Sequence, residues 1–593
     1  MTRFAKLGTE VTRCETFIGI TRQQAEDHGD KVLYTFLPEA AGEPPERVTY
    51  HEIDRAARAI ASGLVDRGAG GANVLLLYPS GRQFVEAFLG CLYAGATAVP
   101  APLPTARRHH VEPFLGIVRS ADVAAVLTLA GALPMVAGLL SQAGVAAPCL
   151  STDTDPVGDP DAWRMPVIGP DALAFLQYTS GSTSAPKGVM VSHLNLIENE
   201  RLIAKRFAAH PGTVSGGWLP FYHDMGLIGQ ILTPIVTGGS AVVMSPVAFL
   251  KRPYRWLKLI SDYGVQVSGG PNFGYEMCAQ RVTDEQVAQL DLSQWRLAYN
   301  GAEPVRAETM RSFAARFAPA GFRPRAWFPC YGLAEATLMV TGGTSRLEPV
   351  VLPVSAAQLE QRTIAAPENA DDERLLVSSG APSAHEVLVV DPERRLPLPV
   401  GSVGEIWVRG SSVARGYWRE AAATARTFGA TTATGSGGFL RTGDLGAVID
   451  GELVVTGRLK EVMIIAGRNI YPQDIELEAQ GAHPALADRI SAAFSVEADG
   501  ERVVIVQEVR PELFKEASPA SVAAALRRHL TQRLELRVGS VVLVAPGAIP
   551  RTTSGKIQRT LSRQIFLDGD LPALHEESEA AVADRRRITA AAS

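Results

Sequence analysis

The chain is 593 residues long, 46% hydrophobic, 20% charged and 7% aromatic, too apolar for a disordered chain and too mixed for a fibrous one. Lysine plus arginine number 57 against 62 acidic residues, so the net charge of −5 supplies no global positive field for a nucleic-acid backbone, and any bound anion must be held locally. The length fits roughly four folding units, or one large α/β domain with a smaller one.

The five cysteines, Cys14, Cys91, Cys149, Cys278 and Cys330, have no CxxC spacing and are odd in number. That argues against a zinc site and a disulfide framework and fits a reducing, cytoplasmic setting. The opening MTRFAKLGTEVTRCETF lacks the uninterrupted apolar core of a signal peptide.

Along the chain, Thr49 to Glu52 predicts a capping box, followed by a helix with Ile53, Ala56, Ala57, Ile60 and Leu64 on one face. VLLLYPSG (74–81) predicts a buried strand stopped by Pro79 and Gly81. The uncharged stretch from Val123 to Leu150 is long enough to raise the question of a membrane span. Its strand-like VAAVLTL (123–129), a turn and a helix opened by Pro134 favour a buried strand with a packed helix instead. LAFLQY (173–178), AVVM (241–244), RLAYN (296–300) and EVLVV (386–390) also read as strands, and their alternation with helices predicts a layered α/β architecture.

Thr344 to Ser379 is long and weakly periodic and reads as an insertion. A domain boundary is expected near 458–461, beyond which shorter elements begin, including a helix with Ser518 as N-cap and Pro519 at its first position. EESEAAVADRRRITAAAS (576–593) is polar, small and charged, which predicts a frayed tail.

The most informative stretch is YTSGSTSAPKG (178–188), directly after a predicted strand. Such a loop can turn backbone amides toward an anion, add hydroxyl donors and place a lysine charge on a polyphosphate. It is not a Walker A loop, because Pro186 stands where a glycine is needed and Gly188 follows Lys187 in place of Ser or Thr. The plainer alternative is a Ser/Gly-rich surface turn.

This stretch resembles the phosphate-binding loop of the adenylate-forming superfamily of acyl-CoA synthetases, peptide-synthetase adenylation domains and luciferases. Further motifs similar to that family's follow in order: WLPFYHDMGLIG (218–229), YNGAEPVR (299–306), CYGLAEAT (330–337), RTGDLG (441–446), GRLKEVMIIAGRNIYPQDIE (457–476) and PRTTSGKIQR (550–559). The resemblance runs from TYHEIDRAARAIA near residue 50 to about residue 567. FYHDMGLIG, NGAEPVR, YGLAEAT and GRNIYPQDIE are similar to the versions found in one branch, the fatty acyl-AMP ligases, and 344–379 lies where that branch carries an insertion. One departure is Ser184, where the family's loop usually has glycine; positive φ there would strain a serine.

The resemblance implies a large N-terminal domain over 1–457, a hinge at 458–461 with Lys460 as its pivot and a small mobile α+β domain over 462–570, and composition puts a disordered tail over 571–593. It implies ATP as substrate with Mg²⁺ as cofactor. Thr179, Ser180, Gly181, Ser182, Thr183 and Lys187 would hold the β and γ phosphates, and Glu335 would bind the metal. Tyr331 and Gly332 would lie against the adenine, with Asn300, Gly301, Ala302 and Glu303 along its edge, while Asp444 and Arg458 would hold the ribose. Lys556 would reach the α-phosphate and the acyl carboxylate together, and His223 and Phe273 are assigned to the acyl pocket. Without the resemblance, Glu335 reads as a helix-start carboxylate, Asp444 and Arg458 as a surface ion pair and His223 as a structural histidine.

A fatty carboxylate is ionised at neutral pH, so its attack on the α-phosphate needs no general base but does need charge cancellation and alignment. In this family the small domain then turns to admit a thiol, and the insertion is expected to oppose the turn that creates a coenzyme A site. The implied acceptor is the phosphopantetheine thiol of an acyl carrier protein supplied in trans, for polyketide, nonribosomal peptide or lipid synthesis. The expected partners are therefore a fatty acid, ATP and the carrier, with no nucleic acid and no membrane span. The alternatives are a fatty acyl-CoA synthetase using free coenzyme A and a non-catalytic nucleotide-binding regulatory protein.

Overall fold

The computed structural model describes residues 15–592 except 41, 105–107, 155–156, 180–185, 344–346, 466, 488, 511, 513–516 and 553–554. Two largely parallel sheets build the first part of the chain. One runs in the order Cys149–Ser151, Val123–Thr128, Asn73–Leu77, Thr97–Ala101 and Leu173–Thr179, all parallel, with Lys187–Ser192 antiparallel at its edge. The other orders Trp327–Gly332, Leu297–Asn300, Val267–Gly270, Val214–Gly217, Ser240–Val243 and Val32–Phe36 in parallel, flanked by antiparallel Met339–Gly342 and Glu46–Thr49. Every residue of Asn73–Leu77 and of Thr97–Ala101 is buried, the mark of strands covered on both faces.

The helix Arg82–Tyr93 lies between the two sheets. Its Phe88 meets Phe175 edge-on at 5.7 Å, and Phe84 meets Phe221, just beyond the strand Val214–Gly217, at 5.6 Å. Each such fully buried aromatic contributes on the order of 2–3 kcal/mol of transfer free energy. The preceding helix, Tyr50–Asp66, starts with the predicted capping box: the Thr49 hydroxyl accepts from the Glu52 amide, and Glu52 accepts in return from the Thr49 amide at 2.7 Å. The stretch weighed as a membrane span resolves into the strand Val123–Thr128 and the helix Leu133–Ala143, with Pro134 in its first turn. No described helix is long and apolar enough to cross a membrane.

A four-stranded sheet, Glu386–Val390, Gly404–Arg409, Leu440–Ile449 and Glu452–Arg458, leads to a last one of Ser491–Glu497, Glu501–Glu508, Val538–Val544 and Ala573–Ser578. Period-two alternation in that last sheet feeds two cores: Val503 and Ile505 face the helices Pro472–Gly481 and Pro519–Leu534, while Val504 and Val506 pack with Phe566 of Arg559–Asp568.

The expected disordered tail over 571–593 is corrected. Ala573–Ser578 pairs antiparallel with Val538–Val544 and closes the sheet edge, and Ala580–Ala592 folds back on it. Two apolar anchors, Leu571 and fully buried Val582, and the Arg586–Glu576 ion pair at 2.6 Å hold the segment. Its polar composition hid those few contacts. The weakly periodic stretch before residue 379 is also ordered where described, as a hairpin of Val351–Ser355 and Glu373–Val377 around the short helix Ala356–Glu360. Val354, Leu359 and Leu376 bury against Tyr471 and Leu445. The hairpin reaches the later domain through polar contacts too: Arg468 donates to Glu360 at 2.6 and 2.8 Å, Asn469 Nδ2 donates to the Glu360 carbonyl at 2.7 Å, and Arg374 pairs with Asp474.

Candidate active site

Parallel strands point their carboxyl ends at one place, the usual location of ligand sites in open α/β sheets. Thr179, Asn300 and Gly332 each end a strand there, and His223, Phe273 and Ala302 follow shortly after one. All of these but Asn300 border a cavity of about 1170 Å³, whose other side is lined by the later domain. Of the residues expected from sequence, the cavity gathers Thr179, His223, Phe273, Ala302, Glu303, Tyr331, Gly332, Glu335, Asp444, Arg458 and Lys556. Lys187, Asn300, Gly301 and Lys460 are not on its wall. Ser180, Gly181, Ser182, Thr183 and Ser184 lie outside the described residues.

Asp444 is 6% exposed and therefore not the surface carboxylate of the plainer reading. Its Oδ1 lies 3.0 Å from Arg458 Nε, and its Oδ2 accepts from the Tyr331 hydroxyl at 2.8 Å. The pairing Asp444↔Arg458 is dictated by register, because the two residues face one another across adjacent antiparallel strands. Burial, then the Asp444 charge, pushes the Tyr331 phenol well above its ordinary range, so it stays a donor.

Glu335 sits in a turn after the strand Trp327–Gly332, and its Oε1 accepts from the Tyr417 hydroxyl at 2.8 Å. Burial raises the Glu335 pKa, and the Tyr417 hydrogen bond opposes that rise. The Lys187 ammonium lies over the same tyrosine ring, 5.1 Å from its centre. Tyr417 thus bridges the two charged groups assigned to phosphate and metal. Sequence reasoning missed it because 82 residues separate it from Glu335, and no spacing rule connects them.

Asn300 is fully buried; its Nδ2 donates to Asn272 Oδ1 at 3.4 Å, while its Oδ1 has no hydrogen-bond partner among the described residues. Next to it, Gly301 is required by close approach, since a Cβ there would lie 2.8 Å from the Cys330 carbonyl oxygen and sulfur. Ala302 follows with φ +68° and Glu303 accepts from the Phe273 amide at 2.6 Å. Lys460 is exposed, between the strand Glu452–Arg458 and the hairpin Met463–Ile465 with Arg468–Ile470.

Lys556 comes from the far end of the chain yet enters this cavity. Burial, then the nearby Arg458 charge, lowers its pKa, while Asp224, Glu303 and Asp444 act in the opposite direction. His223 is driven down to about 3 by burial and then by the Lys556 charge, so it is neutral at physiological pH. Asp224, inside the FYHDMG motif but not singled out from sequence, is the nearby acid: burial raises its pKa and Lys556 lowers it. It also begins an eight-residue π-helix, Met225–Leu232, by accepting from the Met225 amide at 2.8 Å, and π turns concentrate at functional sites.

The arrangement gathers the cations Arg458 and Lys556 and the carboxylates Asp444 and Glu335 around one cavity. The family described as AMP-binding enzyme matches residues 21–418. The chain is 43% identical over 567 residues to the medium-chain-fatty-acid–[acyl-carrier-protein] ligase JamA of Moorena producens, covering 94% of this chain and 96% of that one. It is 36% identical to a 4-hydroxyphenylalkanoate adenylyltransferase of Mycobacterium tuberculosis, covering 94% and 92%. Among solved structures, the fatty acyl-adenylate ligase of L. pneumophila in complex with acyl adenylate and pyrophosphate superposes with a TM-score of 0.75 at 38% identity, covering 96% of this chain and 99% of that one. The chain belongs to the AMP-binding enzyme family, in its fatty acyl-AMP ligase branch, and is an adenylate-forming ligase.

Proposed function

We propose that this chain condenses a fatty acid with ATP to acyl-AMP and pyrophosphate, then passes the acyl group to the phosphopantetheine thiol of an acyl carrier protein. The observation that carries the first step is the presence of Lys556 in the cavity, beside Asp224, Glu303 and Asp444. An ammonium there offsets the repulsion between a carboxylate and the α-phosphate. The carboxylate oxygen forms a bond to the α-phosphorus as the bond to the pyrophosphate oxygen breaks. Both reactants are anions, so alignment and charge supply the catalysis and no proton moves.

Thr179, with Ser180 to Thr183 and Lys187, takes the β and γ phosphates. Asp444 accepts from the ribose hydroxyls and Arg458 donates to the sugar. Tyr331 and Gly332 flank the adenine, with Ala302 and Glu303, the cavity-lining part of 300–303, on its edge. His223, neutral, and Phe273 face the acyl end.

Among the described residues no cluster of three or more His, Cys, Asp or Glu side chains forms a metal cage. A lone, hydrogen-bonded carboxylate such as Glu335 fits Mg²⁺, which is held by one or two carboxylates together with substrate phosphates. Bound there, the ion would supply charge neutralisation on the phosphoryl oxygens. Tyr417 orients the Glu335 carboxylate for it.

For the second step we assign a hinge at Lys460, between a domain ending near residue 457 and a small domain that extends through the helix Ala580–Ala592. The contacts of Glu360 and Arg374 with Arg468 and Asp474 oppose rotation of that domain toward a coenzyme A site. The name of the relative JamA, a ligase to an acyl carrier protein, supports the acceptor. The test is competition between a phosphopantetheinylated acyl carrier protein and free coenzyme A for acyl groups. Preferential acylation of the carrier supports the proposal; rapid acyl-CoA formation at low coenzyme A overturns the acceptor assignment and leaves adenylation standing.

A further inference from the structure

We infer that Phe273 is the seat on which the Lys556 hairpin docks, and so a positioning residue for adenylation in addition to any part in the acyl pocket; this rests on the function proposed above. The hairpin is tight: the Thr552 amide donates to the Lys556 carbonyl at 2.8 Å, the Lys556 amide to the Thr552 hydroxyl at 3.0 Å, and Arg551 bridges Ile557. At its tip Gly555 has φ +89°, and a Cβ there would lie 3.1 and 3.3 Å from Cε1 and Cζ of Phe273. Glycine is therefore required twice over, by backbone conformation and by the ring beneath it.

The ring is fixed from behind. The Phe273 amide donates to Glu303, and the ring meets Trp218 edge-on at 5.8 Å. Trp218, 3% exposed, stacks in turn on Phe249 at 3.8 Å. The opposite end of the hairpin is fixed to the small domain, where Arg559 makes two hydrogen bonds of 2.7 Å to Glu476 and pairs with Glu461 next to the hinge. The loop carrying Lys556 is thus anchored on one domain and rests on a rigid aromatic stack of the other. A displacement of about 1 Å at such a group lowers a rate by about 10²-fold. The contact with Gly555 therefore bears on the half-reaction in which Lys556 acts, adenylation.

The test is a double-mutant cycle of Phe273→Ala and Lys556→Ala, read by fatty-acid-dependent pyrophosphate release and by acyl transfer from added acyl-AMP to the carrier thiol. The expected result for Phe273→Ala is a fall in kcat of adenylation of about tenfold or more that is the same for short and long fatty acids, while Gly555→Ala, which alters no residue assigned to the acyl pocket, leaves transfer from added acyl-AMP at the wild-type rate. In the Lys556→Ala background the same substitution should cost nothing further. Gly555→Ala approaches the contact from the other side and should slow the same half-reaction. Equal losses with and without Lys556, a loss that appears in KM and grows with chain length, or a wild-type rate in either single variant overturns the inference alone. A wild-type chain that releases no pyrophosphate with any fatty acid overturns the proposed function and this inference with it.

Discussion

Arg468 grips Glu360 through two hydrogen bonds, Nε to Oε2 at 2.6 Å and Nη2 to Oε1 at 2.8 Å, and so ties the segment before residue 379 to the small domain. Both side chains are about a quarter exposed, so water screens the pair and its net strength is modest, about 1 kcal/mol. Glu360→Ala should therefore raise acyl-CoA formation from free coenzyme A by about three- to fivefold while leaving acyl-AMP formation unchanged. Parallel assays of the two products check this; an unchanged acyl-CoA rate would show that the pair does not restrain the domain.

Asp444 spends both carboxylate oxygens, one on Arg458 and one on Tyr331. Asp444→Asn keeps the shape and removes the charge, so kcat/KM for ATP should fall by about 10²-fold, against about three- to tenfold for Tyr331→Phe. Initial rates over a range of ATP concentrations separate the two. Equal effects would mean that the carboxylate serves only to hold the tyrosine.

Tyr417→Phe deletes the hydroxyl that holds Glu335 and keeps the ring under Lys187. Partners that orient a metal ligand matter to affinity, so the Mg²⁺ concentration giving half-maximal rate should rise by about tenfold. A Mg²⁺ titration at saturating ATP reads this directly, and an unshifted curve would remove Glu335 from the metal site.

His193 is buried at the start of the helix His193–Phe207, its Nδ1 accepting from the Phe17 amide at 3.2 Å, and burial lowers its pKa to about 4 from 6.5. The unfolded chain takes up a proton below about pH 6.5 that the folded chain refuses until about pH 4, so this contribution is complete above the unfolded value and declines as pH falls. At about pH 5 the loss is about 2 kcal/mol. His193→Gln, which retains an acceptor, should lose correspondingly less stability than the wild type between about pH 7.5 and pH 5 in urea titrations. His223 carries a shift of the same sign in both proteins, so the difference isolates His193. Identical pH dependence in the two would contradict the assignment.

Local signals were readable wherever chemistry and periodicity coincided in one stretch. The Thr49 capping box, the strands Leu173–Thr179 and Leu297–Asn300, and the helix opened by Ser518 and Pro519 form where their residues predict. What stayed hidden depends on partners far apart in the chain. Leu571 and Val582 order a polar tail only because a sheet edge is waiting for it. Tyr417 and Phe273 illustrate the same limit at the site: one reaches Glu335 and the other Gly555, contacts made only in the folded chain. The Lys556 motif was legible as a resemblance, whereas the charges that surround it, Asp224 above all, required the fold.

The most direct measurement is fatty-acid-dependent pyrophosphate release from ATP, with acyl-AMP followed by mass spectrometry, in the wild type and in Lys556→Ala. The account predicts acyl-AMP from the wild type with a suitable fatty acid and a drop of about 10²- to 10³-fold on losing the lysine, with transfer from added acyl-AMP preserved. Undiminished acyl-AMP formation by Lys556→Ala would contradict it.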